Sequence, residues 1–134
     1  MIGMIRPVVR AEVLAGDGSW AKAPFLLDTG ADRTVFSSDI LTALHLPSLL
    51  TQDRLGGIRG EIASVNIETQ IRLTRENNAK VILRGQHAGV TETSTLDMSV
   101  LGRDVINLFA VIVDWPQQVI CLLGQRHGYT IFQQ

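Results

Sequence analysis

Apolar and polar residues alternate along much of the chain, a pattern that predicts β-strands. The clearest alternation has apolar residues or threonine at every second position, namely Val65, Ile67, Thr69, Ile71 and Leu73. Because successive strand side chains point to opposite faces, this segment is predicted to have one buried and one solvated face. The same reasoning predicts strands at 8–14, 20–27, 109–113 and 119–123, and one beginning at Val81.

Turn residues separate these strands and indicate two hairpins and a further turn. Gly16-Asp17-Gly18-Ser19 joins the first two strands, and Asn77-Asn78 precedes Val81. Asp114-Trp115-Pro116-Gln117-Gln118 is the predicted loop of the last hairpin.

Two short helices are expected between the strands. Residues 38–46 have a serine cap, helix-spaced leucines and a proline stop at Pro47. A shorter helix is predicted from Arg103 to Leu108. We therefore expect a single mainly β domain over residues 1–134, with one or two short helices.

Composition narrows the class of protein. The 134 residues are 46% hydrophobic and 19% charged, which suits one domain with a real core. The net charge of -1 and the absence of a basic block argue against nucleic acid as a partner. The longest apolar run, 108–113, is too short to span a membrane. Without a pair of cysteines or a signal peptide, we expect a cytoplasmic protein, and Met1 favours a free-standing one.

One carboxylate stands out because it follows an apolar run. Asp28 comes directly after Phe25-Leu26-Leu27 and is followed by Thr29-Gly30. Burying an acid costs several kcal/mol unless it is paired or hydrogen-bonded. A general base would need such donors and access to water, although Asp-Thr-Gly also suits an ordinary turn. No histidine or cysteine spacing typical of a metal site occurs, so no cofactor is expected.

Three motifs occur in order over residues 8–123. They are Leu27-Asp28-Thr29-Gly30-Ala31-Asp32, then Leu55-Gly56-Gly57-Ile58-Arg59-Gly60, then Val100-Leu101-Gly102-Arg103-Asp104. With these motifs the chain resembles the retroviral-type aspartic proteases, the retropepsin-like family. The first motif resembles the family's catalytic loop, and the motif at Leu55 resembles the glycine-rich tip of a flap over the substrate. The motif at Val100 resembles the segment that in the family packs behind the catalytic loop and opens a short helix.

The resemblance implies a closed or partly closed β-barrel with a flap hairpin, and it assigns roles to these residues. Asp28 would be catalytic, with Thr29 and Gly30 orienting it. Arg103, beside Gly102, would pair with Asp32 and brace the loop that contains Ala31. That pair could be a weak surface contact, but its place beside the signature glycines favours a buried brace.

Aspartic protease chemistry needs two carboxylates, and the sequence has a single Asp-Thr-Gly. Asp17, Asp97 and Asp104 are followed by other residues, and Asp114 more simply opens a loop. A symmetric homodimer supplies the second carboxylate, so Asp28 of one copy would face Asp28 of the other. We therefore expect a homodimeric endopeptidase that cleaves extended peptides. The alternative is an inactive retropepsin-like dimerisation or peptide-binding module, and an accidental motif in a structural β domain is a weaker one.

Overall fold

The structure is a computed structural model that describes residues 6–46, 48–49, 54–55, 62–92 and 96–124. The strands are β1 (Val8–Leu14), β2 (Trp20–Leu27), β3 (Val35–Phe36), β4 (Ser48–Leu49), β5 (Arg54–Leu55), β6 (Ile62–Thr74), β7 (Lys80–Val90), β8 (Ser99–Leu101), β9 (Ala110–Asp114) and β10 (Val119–Leu123). The helices are α1 (Ser38–Ala43) and α2 (Arg103–Ile106).

Six strands close into a barrel. The pairing order β1-β2-β8-β3-β7-β6 returns to β1 through the pairs Glu12↔Arg72 and Val13↔Ile71. The short strands β4 and β5 both pair with β6 outside this ring. Closure removes the open edges that a sheet of this size would otherwise expose. The predicted mainly β barrel with two short helices is confirmed.

The alternating residues of β6, in the long hairpin β6–β7, place one face of the strand in the core. Val65, Ile67, Ile71 and Leu73 are buried in the core, where they meet β1 and β2 side chains. Thr69 occupies the same face and is also buried, because its hydroxyl donates to the Leu14 carbonyl at 2.8 Å. A polar residue therefore fits the buried face of β6 by making a hydrogen bond to the neighbouring strand β1.

Helix α1 ends earlier than the sequence predicts. It stops at Ala43, three residues before Leu46, and His45 takes a left-handed conformation with φ of 49°. The Leu46 N–H then donates to the Leu41 carbonyl, and the His45 N–H donates to the Thr42 carbonyl. This is a Schellman end, with histidine where glycine is usual. The helix is stopped by this turn, and Pro47 lies outside the described residues.

The N-terminus of α1 and the C-terminus of α2 also differ from the prediction. The N-cap residue of α1 is Ser37, one residue before the serine that we predicted, and its side chain makes no capping bond. Helix α2 begins at Arg103 as predicted but ends at Ile106 rather than Leu108.

The last hairpin, β9–β10, forms a separate two-stranded sheet. Val111, Val113 and Ile120 pack against the barrel core, and Leu122 is buried within it. The hairpin loop is closed by Asp114, whose carboxylate accepts the Gln117 N–H at 3.1 Å. The hairpin therefore has one face on the barrel and one face outward.

Side chains on the surface of β1, β2 and β6 form an ion pair and a cation–π contact. Arg72 pairs with Glu12 at 2.7 Å and lies 4.3 Å from the Trp20 ring centroid, so this tryptophan is covered by a cation.

Within the described segments, none of the helices has the length and apolar character needed to cross a membrane.

Candidate active site

Two neighbouring parallel strands place the candidate residues at one end of the barrel. Strand β2 pairs with β8 in parallel, with Leu27 opposite Leu101. Because parallel neighbours end at the same edge, the chain after Leu27 and the chain after Leu101 emerge together. The Asp28 N–H donates to the Leu101 carbonyl at 3.1 Å and extends this pairing by one residue.

Asp28 is held at the start of a tight turn. Its side-chain Oδ1 accepts the Gly30 N–H at 2.9 Å, and its carbonyl accepts the Ala31 N–H at 3.2 Å. A Cβ at Gly30 would lie 3.3 Å from this carboxylate oxygen, closer than most side-chain contacts allow. The Asp28 carboxylate is half-buried in the single chain, and Thr29 and Gly30 are exposed. The carboxylate is thus oriented by a backbone donor and still reaches solvent.

Helix α2 anchors the turn from behind. The Arg103 N–H donates to the Ala31 carbonyl at 2.8 Å, and the Asp104 N–H donates to the Asp32 carbonyl at 3.3 Å. The first N–H groups of a helix have no partner within the helix itself. Here they bind the loop that follows Asp28, so the start of α2 and the loop satisfy each other's backbone groups.

Gly102 is required by a close approach of two backbones. A Cβ at this position would lie 2.4 Å from both the carbonyl carbon and the oxygen of Arg33. No side chain fits at such a distance, because the obstacle is backbone and not a flexible group. The glycine of the motif at Val100 therefore lets β8 and α2 pack directly against the loop.

A buried hydroxyl joins the two motifs, and sequence reasoning missed it. Thr34 is fully buried, accepts the Gly102 N–H at 3.1 Å and donates to Asp104 Oδ1 at 2.7 Å. The Thr34 N–H also donates to the Asp104 carboxylate, at 2.9 Å. The Asp104 carboxylate is therefore bound to Thr34 and holds the loop. The position of Asp104 in the first turn of α2 could be recognised from the local sequence. Its partner Thr34 could not, because it lies 70 residues away.

Arg103 does pair with Asp32, as the resemblance implied, but the pair is exposed. The Arg103 side chain is 47% exposed and the Asp32 side chain is 80% exposed. A second guanidinium nitrogen donates to the Thr29 carbonyl at 3.4 Å. The expectation of a buried brace is therefore wrong for the single chain, because both side chains point outward and the buried link runs through Thr34.

The other aspartates proposed from the sequence have structural tasks. Asp17 accepts two hydrogen bonds from Ser19 in an exposed turn, and these bonds lower the pKa of its carboxyl group. Asp97 binds Arg6 at 2.7 Å on the surface, and the hydrogen bond to that guanidinium lowers the pKa of Asp97. Both carboxylates therefore already have partners, so Asp28 remains the candidate reacting group.

The predicted flap lies almost wholly outside the described residues. Leu55 belongs to β5, which pairs with β6, whereas Gly56, Gly57, Ile58, Arg59 and Gly60 are not described. Over the described part of the chain, no group of three or more His, Cys, Asp or Glu side chains could hold a metal ion.

Comparison with known proteins decides the family. The family of retroviral aspartyl proteases matches residues 5–113, which include Asp28, the predicted flap and Gly102-Arg103. This chain belongs to that family. The barrel resembles the solved EIAV protease complexed with the inhibitor HBY-793, with a TM-score of 0.57 and 19% identity. That match covers 77% of this chain and 86% of the viral one, and it supports a shared retropepsin-like fold. A search of curated proteins gave no significant match.

The family match includes both motifs that meet at the candidate site. The catalytic-loop motif and the motif at Gly102 lie in the matched range, at the common end of β2 and β8. Residues 114–134 lie beyond that range and include β10. The matched range therefore ends within β9, and its hairpin partner β10 lies outside that range.

The Thr34 network predicts an unequal effect of two substitutions. Thr34→Val keeps the shape but removes the hydroxyl, leaving the buried Gly102 N–H without its acceptor. We expect a loss of about 1–3 kcal/mol in the free energy of unfolding. Arg103→Ala removes an exposed pair and should cost less than about 1 kcal/mol. Urea denaturation of both variants measures the difference, and an Arg103→Ala loss equal to that of Thr34→Val would contradict the assignment.

Proposed function

We propose that this retroviral aspartyl protease is an endopeptidase that acts as a homodimer on extended peptides. The observation that carries the proposal is the setting of Asp28. Its carboxylate is oriented by the Gly30 N–H, reaches solvent, and has no cation paired to it among the described residues. A carboxylate with these properties is suited to take a proton from water.

A second copy would complete the reacting group. Two carboxylates close together share one proton, so that one acts as base and the other as acid. The charged carboxylate takes a proton from the attacking water, and the protonated one donates to the carbonyl oxygen of the peptide. Each chain would contribute its own Asp28 at a two-fold axis. Thr29, exposed beside Asp28, would orient the pair across that axis.

The substrate would bind as an extended strand. We propose that residues 55–60 cover it and hold its backbone by β-type hydrogen bonds. The alternative is a retropepsin-like dimerising or peptide-binding module without peptidase activity. We also propose that the protein works in a reducing, cytoplasmic compartment.

Replacing Asp28 tests the proposal directly. Asp28→Asn keeps the shape of the side chain but removes the ionisable group, so peptide cleavage should fall by about 10²–10⁴-fold or more. The matched control is Asp17→Asn, the same change in an exposed turn, which should cleave at the wild-type rate. Cleavage of a peptide library by wild type, Asp28→Asn and Asp17→Asn gives the answer. Dimers of the wild type that cleave nothing would favour the binding module.

The outer face of the β9–β10 hairpin supports a specific dimer surface. Large exposed apolar side chains of the described residues concentrate in this region, with Leu108 at 44%, Ile112 at 48%, Trp115 at 54% and Val119 at 46% exposure. Asp114 is the only charged residue between Ala110 and Leu123. Exposed apolar residues and open strand edges are typical of surfaces that pair with another chain. We propose that this face contacts the same hairpin of the second copy.

A charge on this face should separate the copies. Ile112→Lys should give a monomer in sedimentation and abolish cleavage, with the β-rich circular dichroism spectrum retained. Ile82→Lys is the matched control, because Ile82 is 41% exposed on β7, away from the hairpin. It should remain dimeric and active. A dimeric Ile112→Lys protein would rule out this surface.

The only cysteine provides an independent probe of the same surface. Cys121 is opposite Ile112 in the hairpin register and is partly exposed. Its reaction with a maleimide should therefore slow as the wild-type protein is concentrated into dimers, whereas in Ile112→Lys it should be independent of concentration.

The shared proton predicts how assembly depends on pH. Two facing carboxylates cannot both ionise cheaply, so the dimer would take up a proton that separated chains lack near neutral pH. By linkage, association should weaken as pH rises from acidic toward neutral values. Asp28→Asn removes the repulsion, and its dimer should persist to higher pH. Sedimentation of both proteins across this range tests the point, and identical pH profiles would count against facing Asp28 residues.

A further inference from the structure

A buried histidine that catalysis does not use lies behind the catalytic loop. His87 on β7 is only 8% exposed, and its Nε2 has no hydrogen-bond partner among the described residues. Buried polar side chains normally have partners, because leaving one unpaired costs free energy. An unpaired neutral imidazole is tolerable there, whereas an imidazolium would add an unpaired buried charge.

Aromatic contacts connect this histidine to the strand that presents Asp28. The His87 ring meets the edge of Phe36 with centroids 5.8 Å apart, and Phe36 meets Phe25 at 5.6 Å. Phe25 lies on β2, three residues before Asp28, and Phe36 on β3, two residues after Thr34. Protonation of His87 would therefore strain the packing of both strands that flank the catalytic loop.

The charged groups around His87 do not offset its burial. Burial lowers the pKa of His87, Asp104 of α2 raises it, and Arg33 of the catalytic loop lowers it. On β6 the facing residue is the apolar Ile67, while the neighbouring Glu68 is exposed on the other face. Helix α1 also packs on β7, and its one charged residue, Asp39, is exposed. Asp104, the anion that acts on His87, is already bound to Thr34.

We propose that His87 is an acid-sensitive latch, whose neutral ring keeps β3 and β7 packed behind the catalytic loop and whose protonation releases them. Because the pKa of the folded state is lowered, the unfolded chain binds the proton first. The stabilising effect of the neutral ring is complete above the ordinary histidine value of about 6.5. It declines as pH falls from there toward the lowered folded value. The effect on catalysis rests on the proposed function, but the latch itself does not.

The experiment uses the Asp28→Asn background, so that the proposed carboxylate pair makes no contribution. In this background His87 is kept, or changed to Phe or to Gln, and melting temperatures are measured at pH 7.5 and 5.0. We expect the drop on acidification to be larger by about 4 °C or more when His87 is present. His45→Asn is the matched control, since it removes an exposed histidine at a left-handed position that asparagine tolerates. It should leave the drop unchanged.

A measurement on the folded protein itself covers the case in which the variants do not fold. In the Asp28→Asn protein, NMR of labelled histidine rings identifies His87 by its contacts with the Phe36 ring. The ring should titrate below the ordinary histidine value of about 6.5 for as long as the protein is folded, and hydrogen exchange in β3 and β7 should rise on further acidification. A His87 ring that titrates at or above that value in the folded protein, or an equal acid-induced drop in all variants, would overturn the proposal.

Discussion

The parallel pairing of β2 with β8 is the constraint on which the site depends. Thr29 and Arg103 are 74 residues apart in sequence, yet both follow the ends of these adjacent strands. Parallel neighbours require a long connection, and here that connection is most of the barrel. The loop after β2 has carbonyl groups to offer, and the start of α2 has N–H groups without partners in the helix. These groups hydrogen-bond to each other, so neither segment needs solvent to satisfy them.

Closure of the barrel would leave the proposed catalysis and the proposed assembly to different parts of the chain. The barrel pairs its own strand edges, and its core is filled by the alternating side chains of β1, β2 and β6. The hairpin β9–β10 is a described element that has open edges outside the barrel and apolar residues on its outer face. Its inner face is fixed to the barrel, and α2 connects it to the loop that holds Asp28. A contact between two hairpins would thus be transmitted through rigid elements to the two carboxylates.

Elements with a periodic pattern or a strong turn signal could be predicted from the sequence. The bounds of β1, β2 and β10 agree with the predicted strands, since alternation and flanking turns define them locally. The short strands β3 and β8 were missed, because two or three residues contain no period and they form only by pairing with distant strands. Asp28, Gly102 and Arg103 could be predicted as a group from their motifs. The role of Thr34 could not, because a single hydroxyl becomes a link only after the barrel brings Gly102 and Asp104 to it.

Asp28 and His87 are proposed to respond to pH in opposite directions. The proposed pair of Asp28 carboxylates favours protons, since the shared proton holds the two copies together. His87 disfavours them, since its ring is buried without a partner for Nε2. The His87 ring contacts Phe36, and Phe36 contacts Phe25 of β2, the strand that ends one residue before Asp28. Acid would therefore strengthen assembly and weaken the scaffold behind the site. An active dimer built this way has an upper limit in pH that Asp28 sets and a lower limit that His87 sets.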